Sequence, residues 1–272
     1  SPNEAHLVLT RIDLSDVPIQ RRVDVHGDRT ELVEQPYPAA GDANVAIDLG
    51  LLSVADFTVA AANDTKSDNT DQPAIRWFPL HEQHGDGYLA RVQWLPNSQS
   101  FSYQWQNRAQ NKLTLYAQRL ADNKPQAVLE ETSSSWINLH DDLHFMADSR
   151  HFIWASERSG FKHLYLYRMD GSLIRQLTSG DWMVDSLSHV DEITGVIYFT
   201  GRKQTPLERH VYRANLNTTT PGQPSLLSSR EGLHHVVFAD DGRSYIDYFS
   251  SARQPPQVSL HGPTGQHITW LH

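Results

Sequence analysis

Three histidine-rich stretches are the first places in this chain where side chains could do chemistry. His81-Glu82-Gln83-His84 sets two imidazoles around a carboxylate, the ingredients of a zinc-dependent hydrolase. The spacing is one residue short of the helical H-E-x-x-H pattern. The adjoining Gly85-Asp86-Gly87 predicts a loop, on which the two histidines would share no face. His140-Asp141-Asp142-Leu143-His144 is a denser set of candidate ligands, and it reads equally as the polar entry to a strand over 143–147. His234 and His235 are neighbours on a predicted strand, where successive side chains take opposite faces, so a satisfied structural histidine is expected there. Neither a metal site nor a cofactor is expected.

Nucleophilic catalysis finds no candidate. None of the fifteen glycines has Ser two places on and Gly four places on, so the G-x-S-x-G elbow that presents a serine on a strained turn is missing. A P-loop and a dinucleotide-binding glycine fingerprint are missing too. With no cysteine, thiol nucleophiles, thiolate-bound zinc and disulfides are excluded. Lys and Arg number 23 against 32 Asp and Glu, a net charge of -9, and the basic stripe that a phosphate backbone demands is lacking. No apolar run is long enough to span a bilayer, and Ser1-Pro2-Asn3-Glu4 lacks the features of a signal peptide.

The elements that must carry these residues repeat. Short β-rich segments begin at Leu113, His163, His210 and Gln257, spaced 50, 47 and 47 residues apart. Ahead of each lies an aromatic or β-branched segment, at 101–105, 152–156, 196–200 and 245–249. Another candidate strand precedes that one across a polar turn, and a fourth short strand follows, as at 174–178 and 267–271. Four antiparallel strands per unit describe a propeller blade. A β-sandwich has no need of so even a period. The fold class expected is all-β, a partial β-propeller with four complete four-stranded antiparallel blades at 87–135, 136–181, 182–232 and 233–272. The aromatics Trp94, Trp105, Trp154, Tyr165, Tyr167, Tyr198, Phe199 and Tyr212 keep the repeat register and read as core. Trp136 and Trp182 stand near blade entrances. In the loop 156–160, Gly160 closing a tight turn is explanation enough.

Residues 1–86 form an incomplete N-terminal blade. Ser1-Pro2-Asn3 resembles the turn Leu95-Pro96-Asn97, so the chain begins in mid-blade, with second, third and fourth strands at 6–10, 45–52 and 74–78. From turn to third strand the first unit takes 42 residues where the second takes 16, which marks an insertion. Within it, 20–25 and 30–35 flank the turn His26-Gly27-Asp28, predicting a hairpin arm at about 13–38. An unpaired edge in that blade, or the arm itself, invites association.

Several stretches together carry a family likeness. Residues 136–143, 152–165, 175–182, 195–201 and 36–44 resemble the propeller of the dipeptidyl peptidase IV family, bacterial members above all. The resemblance implies an eight-bladed propeller capping a C-terminal α/β-hydrolase domain of the same parent chain. The parent would be a periplasmic or otherwise extracytoplasmic serine exopeptidase that removes X-Pro or X-Ala dipeptides from peptide substrates. In that family a Glu-Glu pair holds the substrate amine. Glu31, Glu34, Glu130 and Glu131 do not match that motif, which would lie before Ser1, as the catalytic Ser, Asp and His would lie after His272. This portion is therefore expected to be inactive alone. The loop 136–142 is placed at the pocket edge, with Asn138, His140 and Asp141 where mammalian members have an aromatic residue and an arginine. The insertion resembles the arm through which members dimerise, here with Val17, Arg21, Val23, Leu32 and Val33. The alternative is a stand-alone propeller acting as a binding or scaffold module.

Overall fold

The computed structural model describes residues 1–56, 74–218 and 221–272. The chain divides into two units, Ser1–Ile137 and Asn138–His272. In the first, β1 (His6–Asp13), β4 (Ala46–Ser53) and β5 (Arg76–Phe78) form a three-stranded sheet, and β2 (Ile19–Val25) pairs with β3 (Thr30–Pro36) as a separate hairpin. The helix α1 (Leu80–His84) then leads to a sheet of β6 (Gly87–Trp94), β7 (Ser100–Asn107), β8 (Lys112–Arg119) and β9 (Gln126–Thr132).

The second unit contains three more four-stranded sheets. They are β10 (Leu143–Phe145) to β13 (Leu173–Gln176), β14 (Val184–Asp191) to β17 (Ser225–Leu226), and β18 (Leu233–Phe238) to β21 (His267–Trp270). Their middle strands are β11 (His151–Ser156) with β12 (His163–Arg168), β15 (Val196–Gly201) with β16 (His210–Asn215), and β19 (Tyr245–Ser251) with β20 (Gln254–His261). Every sheet runs in chain order with antiparallel neighbours, which is the meander of a propeller blade.

Equivalent turns set the phase of the repeat. Ser98, Ser149, Gly195 and Gly242 each lie between the first two strands of a four-stranded sheet, with φ of 57°, 53°, 68° and 66°. Glu4, just ahead of β1, has φ 59°. Its N–H donates to the Ser1 carbonyl at 2.9 Å, as that of Ser98 donates to Leu95 at 3.1 Å. The turn before β1 is therefore the same device as the turn before β7. Left-handed backbone is costly for a side chain, and glycine fills the position in the last two sheets.

A second recurring device locks third strand to fourth. His163 opens β12 with Nδ1 3.0 Å from the Thr178 hydroxyl, which accepts the Leu164 N–H at 3.0 Å. His210 opens β16 with Nδ1 2.9 Å from the Ser228 hydroxyl, which accepts the Val211 N–H at 3.1 Å. Buried polar atoms are thus paired at the third-to-fourth strand junction of these two sheets.

The middle strands read as continuous buried runs because both their faces are covered. Phe152, Ile153, Trp154 and Ala155 of β11 are all within 1% of full burial. Ile153, Ala155, Leu164 and Leu166 pack with Trp182, Val184, Ile197, Phe199 and Tyr212 as one core across two sheets. The segment over 81–84 departs from expectation. It is one helical turn, opened by Pro79 at φ -79° and closed by Gly85 at φ 78°, rather than a loop. Proline presets φ for a helix start and glycine takes the positive φ that ends it, so five residues suffice.

Candidate functional site

The predicted pocket-edge residues Asn138, His140 and Asp141 lie at the start of the second unit, where the chain runs into β10. Asn138 reaches across to the β11–β12 loop and donates through Nδ2 to the Glu157 carboxylate, at 3.0 and 3.2 Å. His140 sets its ring edge-on to Trp154 at 4.5 Å and accepts the Asp142 N–H through Nδ1 at 3.2 Å. Asp141 is exposed. The β11–β12 loop is shaped by Arg158, which donates through Nε to the Ser156 hydroxyl at 2.9 Å and bonds the Tyr167 hydroxyl. Its guanidinium also lies 4.9 Å from the Tyr165 ring, a cation–π contact. The arrangement offers carboxylates, an amide and an imidazole at a surface loop.

Beneath this loop lies a charged network that no sequence motif announced. Asp142 is 5% exposed. It accepts from Lys162 Nζ at 2.9 Å and from the Leu187 N–H at 2.8 Å. Lys162 also donates to the Asp185 carbonyl at 2.5 Å. The Asp185 carboxylate in turn accepts from Arg209 at 2.9 Å and Arg202 at 3.3 Å. Burial alone would raise the pKa of Asp185, but the Arg209 hydrogen bond and charge, with Arg202 beside it, hold it below the ordinary carboxylate value. Partners stand 17 to 45 residues apart in the chain, so no local spacing could have revealed them.

Of the other candidate histidines, His84, His144 and His234 are held by the fold, and His81 is exposed. His84 bonds the Tyr103 hydroxyl at 2.8 Å and stacks on Tyr116 at 4.3 Å, and its burial lowers its pKa. His144 lies 3.5 Å from Glu192, whose carboxylate also caps the Ala147 N–H at 2.9 Å. His234, 2% exposed, places Nδ1 2.6 Å from Asp247 and Nε2 2.8 Å from the Arg230 carbonyl, while His235 faces outward. A cavity of about 180 Å³ adjoins His234 and Asp247, walled by Tyr245, Phe249 and Trp270. Among the described residues, no group of three His, Asp or Glu side chains is placed to hold a metal ion. The two serines on left-handed backbone, Ser98 and Ser149, hold turn positions that glycine fills in the later sheets, and the Ser98 hydroxyl accepts the Asn3 N–H at 3.1 Å. They are turn formers.

The predicted arm residues lie in β2, β3 and the segment before them. Val23 pairs with Leu32 across the hairpin, and both are exposed, at 58% and 59%. Ile19 and Val25 share that face at 64% and 79%. Arg21 pairs with Glu34 at 2.7 Å on the same face, and Val33 is half-buried on the other. Val17 is 5% exposed, so it belongs to the base of the arm.

Comparison with known proteins gives one family. The description "Dipeptidyl peptidase IV (DPP IV) N-terminal region" matches residues 1–256. Human dipeptidyl peptidase 8 is 28% identical over 83% of this chain and 30% of its own length. Dipeptidyl peptidase 4 of Trichophyton equinum is 25% identical over 83% of this chain and 28% of its own. The crystal structure of Porphyromonas gingivalis dipeptidyl peptidase 4 superposes on 100% of this chain and 36% of its own, with a TM-score of 0.84 and 27% identity. The chain thus spans about a third of the length of the proteins it resembles.

Proposed function

The chain belongs to the dipeptidyl peptidase IV N-terminal region family, and from that premise we propose that it is the substrate-gating propeller portion of a serine dipeptidyl peptidase. In this reading the parent removes X-Pro or X-Ala dipeptides from peptide N-termini. A C-terminal α/β-hydrolase domain supplies the nucleophile, and a Glu-Glu pair elsewhere in the parent anchors the substrate amine. The observation that carries the proposal is the match over residues 1–256 together with a superposition that leaves none of this chain unaccounted for. The loop bearing Asn138, His140 and Asp141 forms part of the pocket edge, where hydrogen-bonding side chains orient peptide rather than cleave it. The resemblance to bacterial members supports a parent that works in the periplasm or otherwise outside the cytoplasm.

Self-association through the arm is the second element of the proposal. A two-stranded hairpin is marginal on its own in water. This one exposes Ile19, Val23, Val25 and Leu32 on a single face. Burying that face against a second copy would stabilise both.

The full-length protein tests the reading. It is expected to release p-nitroaniline from Gly-Pro-p-nitroanilide and to lose that activity when the substrate amine is acetylated, since an amine anchor defines the dipeptide register. Equal turnover of the blocked substrate would contradict it.

A further inference from the structure

The geometry points to Asp142 and Lys162 as positioning residues that fix the loop 138–141 for substrate binding, without touching substrate themselves. The inference rests on the reading of that loop as a pocket edge. One further tether of the loop, Asn138 to Glu157, joins two exposed side chains. Water competes for such a bond, and it holds a backbone only loosely. Asp142 is different. Its side chain is 6% exposed, that of Lys162 is 14% exposed, and both carboxylate oxygens are engaged.

Those two oxygens hold two different neighbours. One accepts from Leu187 on β14, in the adjoining sheet. The other accepts from Lys162, whose carbonyl accepts the Val184 N–H at 2.8 Å and whose ammonium also reaches the Asp185 carbonyl. The end of the loop is thereby pinned to β14 and to the segment entering β12. The Asp142 N–H at the same point donates to His140 Nδ1, so the pin also sets the ring of a predicted pocket residue. From Asp185 the network continues through Arg209, which donates through Nε to the His234 carbonyl at 2.8 Å. Loop, second sheet, third sheet and fourth sheet are registered by one chain of charges.

A buried ion pair is weak evidence for stability, because desolvation offsets the attraction, but it is demanding in geometry. Its removal should therefore show in where the loop sits more than in whether the protein folds. A misplaced binding element weakens substrate capture while leaving bond-breaking groups intact, so KM moves and kcat does not.

The experiment uses the full-length protein with Gly-Pro-p-nitroanilide as the probe. Asp142→Asn and Lys162→Met are each expected to raise KM roughly tenfold with kcat within about twofold of the parent. The double variant should be no worse than either single one, since both remove the same pin. It also leaves no unpaired buried charge, and so serves if a single variant fails to fold. Amide hydrogen exchange over 138–142 should quicken roughly tenfold in Asp142→Asn. Unchanged KM with a lowered melting temperature would overturn the proposal, as would KM effects that add in the double variant. If the unmutated full-length protein does not cleave the probe, the dipeptidyl peptidase reading fails. Exchange then decides alone, and unaltered protection over 138–142 in Asp142→Asn would sink the pin.

Discussion

The sheet β10–β13 and the hairpin β2–β3 use the same antiparallel pairing and bury their side chains in opposite ways. In β12 five consecutive residues are buried, from His163 to Tyr167. In β3 every residue but Val33 and Gln35 is exposed. Both pairs keep an unbroken ladder, β11 to β12 over six residue pairs and β2 to β3 over seven. Backbone hydrogen bonds therefore do not separate them. The difference is apolar area removed from water, worth roughly 25 cal/mol per Å². The sheet buries its apolar side chains in a core shared with the next sheet, whereas the hairpin leaves Ile19, Val23, Val25 and Leu32 exposed.

Two leucines put numbers on that contrast. Leu164 is 0% exposed in β12 and Leu32 is 59% exposed in β3. Leu164→Ala should cost about 2–5 kcal/mol, the lost transfer energy plus a cavity in the core shared with Ile197 and Phe199. Urea denaturation reads this directly, and a loss below about 1 kcal/mol would break the comparison.

A smaller effect separates the two regions by pH. Burial lowers the pKa of His163 below its ordinary 6.5, only partly offset by the Gly180 carbonyl that accepts from Nε2 at 2.9 Å. The unfolded chain then binds the proton at higher pH than the folded one. The stability from this site is full above pH 6.5 and is lost as pH falls through that value toward the lowered one. His26 in the hairpin is exposed, its side chain at 41%, and offers no such burial. Denaturation at pH 8 and at pH 5.5 should show less stability at the lower pH and a shallower dependence in His163→Asn. A pH dependence unchanged in His163→Asn would contradict the assignment.

The smallest stability effect belongs to the arm. Leu32→Ala is expected to change folding free energy by no more than about 0.5 kcal/mol. Leu32→Glu with Val23→Glu should nevertheless turn an associating protein into a monomer by light scattering. An unaltered mass would remove the arm from the assembly.

Much of this was legible in the sequence because the repeat is written in residue types. The spacing of Leu113, His163, His210 and Gln257 places all four in the third strands of their sheets. Thr178 and Ser228 recur at the partner position of His163 and His210, although only the coordinates reveal that hydroxyl and imidazole meet. The helix at Leu80–His84 was misread because a single turn is too short to show a 3.6-residue period. The Asp142–Lys162–Asp185 network was invisible for a different reason. Its members come from separate strands and loops, and Asp142 reads in the sequence only as one of a cluster of candidate ligands, with no sign of the partners it meets. His140 and Asp142 stand in one cluster of candidate ligands in the sequence, yet only the coordinates show the Asp142 carboxylate turned to Lys162 and Leu187 rather than to a metal.

In the proposed function this chain admits substrate while the bond-breaking chemistry resides elsewhere in its parent. The most direct test is a Gly-Pro-p-nitroanilide assay on the purified 272-residue chain, its β-sheet content checked by circular dichroism. The account predicts no p-nitroaniline above the uncatalysed background. Steady turnover by the folded chain alone would contradict it.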